Sequence, residues 1–180
     1  MLIRQLKRED LDEISAAHFK AWYETYSPDF LPLKVIESMT LEKWRESWQR
    51  NLAPCNQDHH LCVQNNAGEI TAFASFGANL DPQNSDEFLG RMLRIYVLKD
   101  YQGQGVGRAL VQAGTEHLVK QGITSMTVHV VEANTPACRF YEHLGGEVIF
   151  HCLVDRVGYS IGEFTYGWRD IRSLLKPQNT

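Results

Sequence analysis

Residues 101–108 read Tyr-Gln-Gly-Gln-Gly-Val-Gly-Arg, and the interpretation of the whole sequence starts from this stretch. It follows an apolar run at residues 93–98 and precedes a helical pattern of apolar residues that begins at Val106. Three glycines at alternate positions allow a loop to turn its backbone N–H groups inward, and the following helix adds the positive end of its dipole. The stretch therefore predicts a phosphate-binding loop between a strand and a helix.

Two common phosphate-binding loops do not fit this spacing. The dinucleotide fingerprint is G-x-G-x-x-G, with an acidic residue after a second strand about 20 positions later. The sequence from Gly103 instead reads G-x-G-x-G and has no such acidic residue. A P-loop ends in Gly-Lys-Ser/Thr, whereas Arg108 and Ala109 follow the last glycine here. A Rossmann dinucleotide site and a nucleoside-triphosphate hydrolase are therefore both disfavoured.

The pattern that remains is Q-x-x-G-x-G, formed by Gln102, Gly105 and Gly107. It resembles the signature of the GNAT superfamily of acyl-CoA-dependent N-acetyltransferases. An ordinary glycine-rich turn between a strand and a helix would show a similar pattern. The motif alone therefore does not decide between a CoA-binding loop and such a turn.

A second element downstream supports the resemblance. Residues 130–145 read V-V-E-A-N-T-P-A-C-R-F-Y-E-H-L-G, which is similar to the strand followed by N-x-x-A-x-x-F-Y-E-x-L-G of the same family. Gly146 departs from the family pattern, because an aromatic residue usually stands at this position. Two motifs in the family's order and separation identify the chain as a member of this superfamily.

The resemblance implies one α/β domain over residues 1–180, with a mixed, mostly antiparallel sheet of about seven strands. The sheet is expected to splay between strands 4 and 5 and to carry helices on both faces, and the hydrophobic periodicity agrees with this order. Ser27 and Pro28 are expected to end the first helix, and residues 65–68 to form a hairpin turn. The predicted strands are residues 2–6, 60–64, 69–77, 91–98, 126–130, 147–154 and 161–168, and the predicted helices are residues 11–26, 41–52, 106–121 and 135–144.

The resemblance also implies acetyl-CoA as the co-substrate, with no metal. The loop and the helix start would bind the pyrophosphate, and the pantetheine arm would enter between the splayed strands like an added strand. The residues expected to contact CoA are Ile95, Val97, Gln102, Gly103, Gln104, Gly105, Val106, Gly107, Arg108, Asn134 and Tyr141.

Acetyl transfer needs a neutral amine, a donor for the developing oxyanion and a group that stabilises the leaving thiolate. Backbone N–H near Val97 is a candidate for the oxyanion, and the resemblance places Tyr141 beside the sulfur. A phenol with a pKa of about 10 transfers its proton to a thiolate whose acid has a pKa of about 8.5 only at a cost of roughly 2 kcal/mol. Tyr141 is therefore expected to act as a hydrogen-bond donor, or as an acid only if its pKa is lowered.

The general base does not follow from the resemblance, because Arg91 occupies the position where many relatives carry a glutamate. Arginine cannot accept a proton. The remaining candidates are a water chain, an already neutral substrate amine, or the side chains of Glu132, Glu87, His129 and His18, of which Glu132 is the one chosen as a catalytic candidate.

An aromatic stripe marks the first predicted helix. His18, Trp22 and Tyr26 recur every four residues, so their side chains lie on one helix face. Together with the following Leu31-Pro32, the stripe resembles a bacterial GNAT subgroup in which this helix walls the acceptor pocket. Aromatic walls suit an amine through cation–π contacts. Trp22 and Tyr26 are therefore the candidate substrate residues, although a core position is favoured for Trp22.

Composition narrows the remaining function classes. The chain has 180 residues, is 43% hydrophobic and carries a net charge of −4, which gives no reason to expect nucleic acid or an anionic membrane as a partner. No apolar run approaches the roughly 18 residues of a membrane span, and charge interrupts the N-terminal apolar residues. The four cysteines form no C-x-x-C pair. A cytoplasmic protein with reduced thiols and no zinc site is expected.

The leading hypothesis is an N-acetyltransferase that moves an acetyl group from acetyl-CoA to a primary amine of a small molecule or peptide by direct attack on the thioester. The alternatives are a non-catalytic acyl-CoA sensor and an acetyltransferase for protein N-termini or lysines. Arg91 favours the sensor, whereas the retained Asn134 and Tyr141 favour the enzyme. The acceptor, the acyl chain and a possible homodimer are not determined by the sequence.

Overall fold

The computed structural model describes residues 2–26 and 30–175. Its seven strands and four of its five α-helices follow the order that the sequence predicts. The fifth helix, α2, is not predicted, because it is too short for its periodicity to be recognised. The strands are β1 (Leu2–Gln5), β2 (His59–Gln64), β3 (Ile70–Ala78), β4 (Gly90–Val97), β5 (Met126–Val131), β6 (Glu147–Arg156) and β7 (Tyr159–Trp168). The helices are α1 (Leu11–Thr25), α2 (Leu33–Glu37), α3 (Leu41–Asn51), α4 (Val106–Lys120) and α5 (Thr135–His143).

The seven strands form one mixed sheet in the order β1-β2-β3-β4-β5-β7-β6. Every neighbouring pair is antiparallel except β4 and β5, which run parallel. These two strands pair only through Gly90 with Met126 and Arg91 with Thr127, and then part. The predicted seven-stranded sheet and its splay between strands 4 and 5 are confirmed.

A β-bulge in β4 determines which of its side chains share a face. Ser75 of β3 pairs with Arg94, but the next residue, Phe76, pairs with Met92, so Leu93 is the extra residue. Met92 therefore lies on the same face as Ile95 and Val97, in the cluster that packs under α4. Arg94 and Tyr96 lie on the opposite face, which α1 and α3 cover.

Each face of the sheet has its own hydrophobic core. Leu110 and Leu118 of α4 and Leu144 after α5 pack with buried strand residues on one face. Ile14 and Ala21 of α1 and Trp48 of α3 pack on the other. The apolar stripes of these helices are the positions that the 3.6-residue period predicts to be buried.

The boundaries agree with prediction to within a few residues, and the largest differences are in the last two strands. β6 continues to Arg156 and β7 begins at Tyr159, so the two strands form a longer hairpin than predicted. Asn65 and Gly68 make the predicted turn between β2 and β3, in which the Gly68 N–H donates to the Asn65 carbonyl at 3.0 Å. The expected helix stop at residues 27–28 lies outside the described residues.

Packing explains why residue 146 is a glycine. A Cβ atom added there would lie 2.6 Å from the ring of Trp168, which is too close for any side chain. Trp168 is buried, and its Nε1–H donates to the Leu144 carbonyl at 2.9 Å. The family pattern has an aromatic residue at position 146. In this chain the ring that packs against this position comes from Trp168 instead.

Within residues 2–26 and 30–175, no helix has the length and apolar character that crossing a bilayer requires.

Two histidines on the α4 face are stacked. The rings of His59 on β2 and His117 on α4 lie parallel, with centroids 3.7 Å apart. Burial lowers the pKa of His59 to about 4, and the positive charges that His117 and His60 would carry lower it further. Burial and Lys120 also lower the pKa of His117. The stack therefore favours two neutral rings.

Acidification should destabilise the protein through this stack. The unfolded chain takes up a proton at each histidine near pH 6.5, whereas folded His59 does so only near pH 4. The stabilisation is thus present above about pH 6.5 and is lost as the pH falls toward 4. His117→Gln removes one of the two histidines that become positively charged on acidification. The fall in Tm between pH 7 and pH 5 should therefore be about 2–4 °C smaller in this variant than in the wild type. Thermal unfolding checks this, with His143→Gln as the control, and an equal fall in His117→Gln would contradict it.

Candidate active site

A cavity of about 1210 Å³ occupies the opening between β4 and β5. Its wall joins the glycine-rich loop at one end, the parted strands in the middle and the C-terminal part of α1 at the other end. The cavity therefore connects β4 and the loop that follows it with α1 and β5, which lie far from them in the sequence.

The glycine-rich loop adopts the conformation that its glycines permit. Gly103 and Gly105 have φ angles of 70° and 77°, in the left-handed region that other residues rarely adopt. Gly105 is the N-cap of α4, and a Cβ atom at either glycine would meet no other atom within 4 Å. Space therefore lies directly before the N-terminus of a 15-residue helix, where the N–H groups of its first turn have no intrahelical partner.

Side chains of the loop hold its backbone in place. The Gln102 amide donates to the Val97 carbonyl at 2.9 Å, which ties the loop to the end of β4. The Gln104 amide donates to the Asp100 carbonyl at 3.0 Å, and Gln104 does not line the cavity. Gly107 lies against Phe140, whose ring is 3.3 Å from where a Cβ atom would be, so α4 and α5 approach closely there.

The parted strands leave backbone groups without a strand partner along one side. Ile95 and Val97 pair only with β3, and Val130 pairs only with β7. All three line the cavity. An extended ligand between the strands would find backbone donors and acceptors on both sides.

Asn134 and Tyr141 lie at the start and middle of α5. Asn134 caps the helix, because its side-chain oxygen accepts from the Ala137 N–H at 3.3 Å. Tyr141 is buried, contacts the rings of Tyr166 and Trp168, and lines the cavity. Burial raises the pKa of its phenol above the ordinary value. Tyr141 therefore holds its proton strongly.

Trp22 and Tyr26 both line the far end of the cavity, although a core position was favoured for Trp22. Their rings are 4.4 Å apart, and the Trp22 Nε1–H donates to the Ile36 carbonyl at 3.1 Å. Burial raises the pKa of the Tyr26 phenol, and the nearby side chains of Tyr96 and Asn134 oppose this rise. These contacts connect the aromatic stripe of α1 to β4 and α5.

Of the four side chains considered as a base, only His129 lines the cavity. Its Nδ1 lies 3.0 Å from the Thr165 hydroxyl and 4.0 Å from the Glu163 carboxylate, and Glu163 lines the cavity as well. Glu132, the catalytic candidate, is not in the cavity wall, and its carboxylate lies 3.1 Å from the His151 Nε2.

The other two candidates lie elsewhere. His18 is buried between α1 and α3, where its Nδ1 accepts from the Trp48 Nε1–H at 3.1 Å and burial keeps its pKa well below the ordinary value. Glu87 pairs with Arg169 on the surface. Arg91 forms a salt bridge with Asp58 at 3.8 Å and does not line the cavity.

Arg94, Tyr96 and Glu163 are among the cavity residues that the sequence analysis did not select. Arg94 and Tyr96 interrupt the apolar run at residues 93–98, and this interruption is the available clue. The described part of the chain holds no group of three or more His, Cys, Asp or Glu side chains arranged to bind a metal ion.

Comparison with known proteins places this geometry in a family. The family model of the acetyltransferase (GNAT) family matches residues 19–146, which include the glycine-rich loop, both parted strands and α5. The chain belongs to the GNAT acetyltransferase family. The match also includes the C-terminal part of α1 with Trp22, and Tyr26 after it, so the walls at both ends of the cavity are part of the family domain.

Two curated relatives show how far the similarity extends. The uncharacterized N-acetyltransferase YuaI of Bacillus subtilis is 31% identical over 173 residues, covering 96% of this chain and 95% of YuaI. A mycothiol acetyltransferase of Thermobispora bispora is 29% identical over 126 residues, covering 70% of this chain. The aligned part is only 42% of that longer relative.

Solved structures share the fold of this GNAT family member. The PaiA N-acetyltransferase of Thermoplasma acidophilum, in complex with coenzyme A, superimposes with a TM-score of 0.70 at 21% identity, covering 90% of this chain and 96% of that one. YncA of Salmonella typhimurium, with acetyl-CoA, gives a TM-score of 0.66 at 19% identity, covering 100% and 96%.

Proposed function

We propose that this protein transfers an acetyl group from acetyl-CoA to a primary amine of a small molecule or peptide. The observation that carries the proposal is one cavity whose wall contains the glycine-rich helix start, Tyr141 and an aromatic end formed by Trp22 and Tyr26. Membership of the acetyltransferase family supports it.

The loop fits a pyrophosphate for two reasons. Open space lies before Gly103 and Gly105, and the N–H groups at the start of α4 point into the region where the helix dipole favours negative charge. The backbone of Ile95 and Val97 has no partner on the cavity side, which suits the amide groups of a pantetheine arm. Asn134 and the remaining loop residues, Gln102, Val106, Gly107 and Arg108, line the same wall, whereas Gln104 would act by bracing the loop.

The chemistry requires the amine nitrogen to attack the thioester carbonyl. The C–N bond forms, the C–S bond breaks, the nitrogen loses a proton and the sulfur leaves as a thiolate that must be stabilised. Backbone N–H near Val97 would bind the carbonyl oxygen. Tyr141 would donate a hydrogen bond to the sulfur without full proton transfer, because burial raises the pKa of its phenol and makes the transfer unfavourable.

His129 is the proposed acceptor of the amine proton. It lies on β5 in the cavity wall, and Glu163, 4.0 Å away, would stabilise the imidazolium that forms. Glu132, the candidate from the sequence, would reach the amine only through intervening water, since it lies outside the wall and contacts His151. The single domain over residues 1–180, the cytoplasmic location and the homodimer stay predictions.

Binding of acetyl-CoA is the first test. Isothermal titration should show binding to the wild type, and Gly105→Asp should abolish it, because the carboxylate places negative charge and bulk in the loop and strains a φ angle of 77°. Gly68→Asp is the matched control. Gly68 also has a positive φ and open space around it, but lies in the β2–β3 turn outside the cavity. Undiminished affinity in Gly105→Asp would refute the pyrophosphate assignment.

Turnover separates an enzyme from a sensor. Free thiol should be released from acetyl-CoA in an amine-dependent manner, and Tyr141→Phe should lower kcat about 10- to 100-fold while leaving acetyl-CoA affinity within about twofold. Tyr166→Phe is the control. The Tyr166 hydroxyl donates to the Glu142 carboxylate at 2.9 Å, and Tyr166 does not line the cavity. An unchanged kcat in Tyr141→Phe would remove Tyr141 from the mechanism. Binding without thiol release for every amine would favour the sensor.

The role of His129 has its own test. His129→Gln should lower kcat/KM about 100-fold at neutral pH, within the range for loss of a general base, and the deficit should shrink as the pH rises and the free amine becomes more abundant. His143→Gln, on α5 and outside the cavity, should retain wild-type rates. A deficit in His129→Gln that does not vary with pH would indicate a structural role instead.

A further inference from the structure

Arg94 is a charged residue in the wall of the cavity. It lies on β4 on the same face as Tyr96, because the bulge at Leu93 separates both from the face that carries Ile95 and Val97. This face is covered by α1 and α3, so Arg94 belongs to the aromatic end of the cavity and not to the glycine-rich end.

An aromatic ring holds the guanidinium in place. Arg94 lies over the ring of Trp48, with its central carbon 5.0 Å from the ring centroid. Trp48 is itself fixed, because it is fully buried and donates to the Nδ1 of His18 at 3.1 Å. The guanidinium is therefore prepositioned, and binding an anion would cost little side-chain entropy.

The charge of Arg94 is not neutralised by a direct ion pair. Its Nη1 is buried without a hydrogen-bond partner in the described part of the chain. The carboxylate that most favours its charge, Asp58, pairs with Arg91 instead. Burial, and after it the positive charge of Arg94, lowers the pKa of both His18 and His60, and burial lowers the pKa of Arg94 itself.

A buried guanidinium stays protonated and is costly unless an anion or hydrogen-bond acceptors satisfy it. Because no described residue forms a salt bridge with Arg94, and Arg94 lines the cavity, the partner is expected to enter through the cavity. Arginine binds carboxylates and other planar oxyanions through paired N–H donors.

We propose that the acceptor amine carries a carboxylate or another oxyanion, which Arg94 binds. This inference rests on the proposed acetyltransferase function and names the class of its acceptor. Arg94 precedes Val97 by three residues on β4, about 10 Å, so an anionic group at Arg94 and an amine at the thioester carbonyl beside Val97 fit within one small molecule. Leu31, Val35 and Met39 line the same end, and they favour an acceptor with an apolar side group.

The direct test is binding to the CoA-saturated protein, which does not depend on turnover. Isothermal titration compares L-leucine and L-phenylalanine with leucinamide and phenylalaninamide, the Leu-Leu dipeptide with its C-terminal amide, and the remaining amino acids as a panel. The wild type should prefer the carboxylates. Arg94→Gln should reduce that preference about 10- to 100-fold, the range for a hydrogen-bonded charge pair. The ratio of carboxylate to amide affinity is compared between the wild type and the variant, so the different basicity of the amines cancels.

Two further variants control the result. Arg94→Lys keeps the charge without the paired donors, and should keep part of the preference. Arg45→Gln removes a charge from α3, the helix that carries Trp48, but Arg45 pairs with Asp12 outside the cavity, so the full preference should remain. Thermal unfolding and acetyl-CoA titration of each variant show that it is folded, and Arg94→Lys serves where Arg94→Gln does not fold.

The outcomes separate the two proposals. A wild type that does not bind acetyl-CoA refutes the proposed function, whatever Arg94 does. A wild type that binds CoA but shows no preference for any carboxylate, or a preference that Arg94→Gln and Arg94→Lys leave within twofold, overturns the inference. A change in the preference for succinyl-CoA over acetyl-CoA in Arg94→Gln, with acceptor preference unchanged, would also overturn it by assigning Arg94 to the acyl group. Selective binding of the dipeptide over free amino acids would identify a peptide C-terminus as the source of the carboxylate.

Discussion

The loss of pairing between β4 and β5 is the constraint on which the rest of the structure depends. After Gly90 and Arg91 the two strands share no hydrogen bonds, although each remains paired on its outer side. Backbone groups left unpaired inside a protein are unfavourable unless water or a ligand satisfies them. The opening therefore creates both the cavity and a requirement for a polar, extended occupant. The glycine-rich loop and α4 follow directly from the end of β4, so the helix N-terminus lies at the mouth of the opening.

The two faces of β4 contribute different side chains to the cavity wall. Ile95 and Val97 pack under α4 on one face, and Arg94 and Tyr96 face α1 and α3 on the other. The bulge at Leu93 sets this division, because an extra residue reverses the alternation of side chains. A strand without it would place Met92 with Arg94 and Tyr96. The same apolar core that stabilises the sheet thus also determines that Arg94 and Tyr96 belong to the aromatic end of the cavity.

Rigid support surrounds the aromatic end of the cavity. In the space between α1, α3 and the sheet, the ring of His18 stacks on that of Trp44 with centroids 3.5 Å apart and meets the ring of Trp48 edge-on. Tyr26, Tyr96 and Asn134 lie close together in the cavity wall, so the end of a helix, a strand and a helix cap meet there. A wall built from buried rings and their hydrogen bonds changes shape little, which favours selection of an acceptor by shape and charge.

The amino-acid sequence by itself determined the family, the order of the strands and helices, and the glycine-rich helix start, because these depend on local periodicity and on glycines at required backbone conformations. It also pointed to Tyr141 and Tyr26, which both line the cavity. It did not reveal the short helix α2, the position of Glu132 outside the cavity wall, or the places of Arg94 and His129. Only the tertiary structure decided those, because they depend on the bulge in β4, the parting of β4 and β5, and contacts between residues distant in the sequence. Which charges face the cavity is set by these long-range contacts, and no local pattern encodes them.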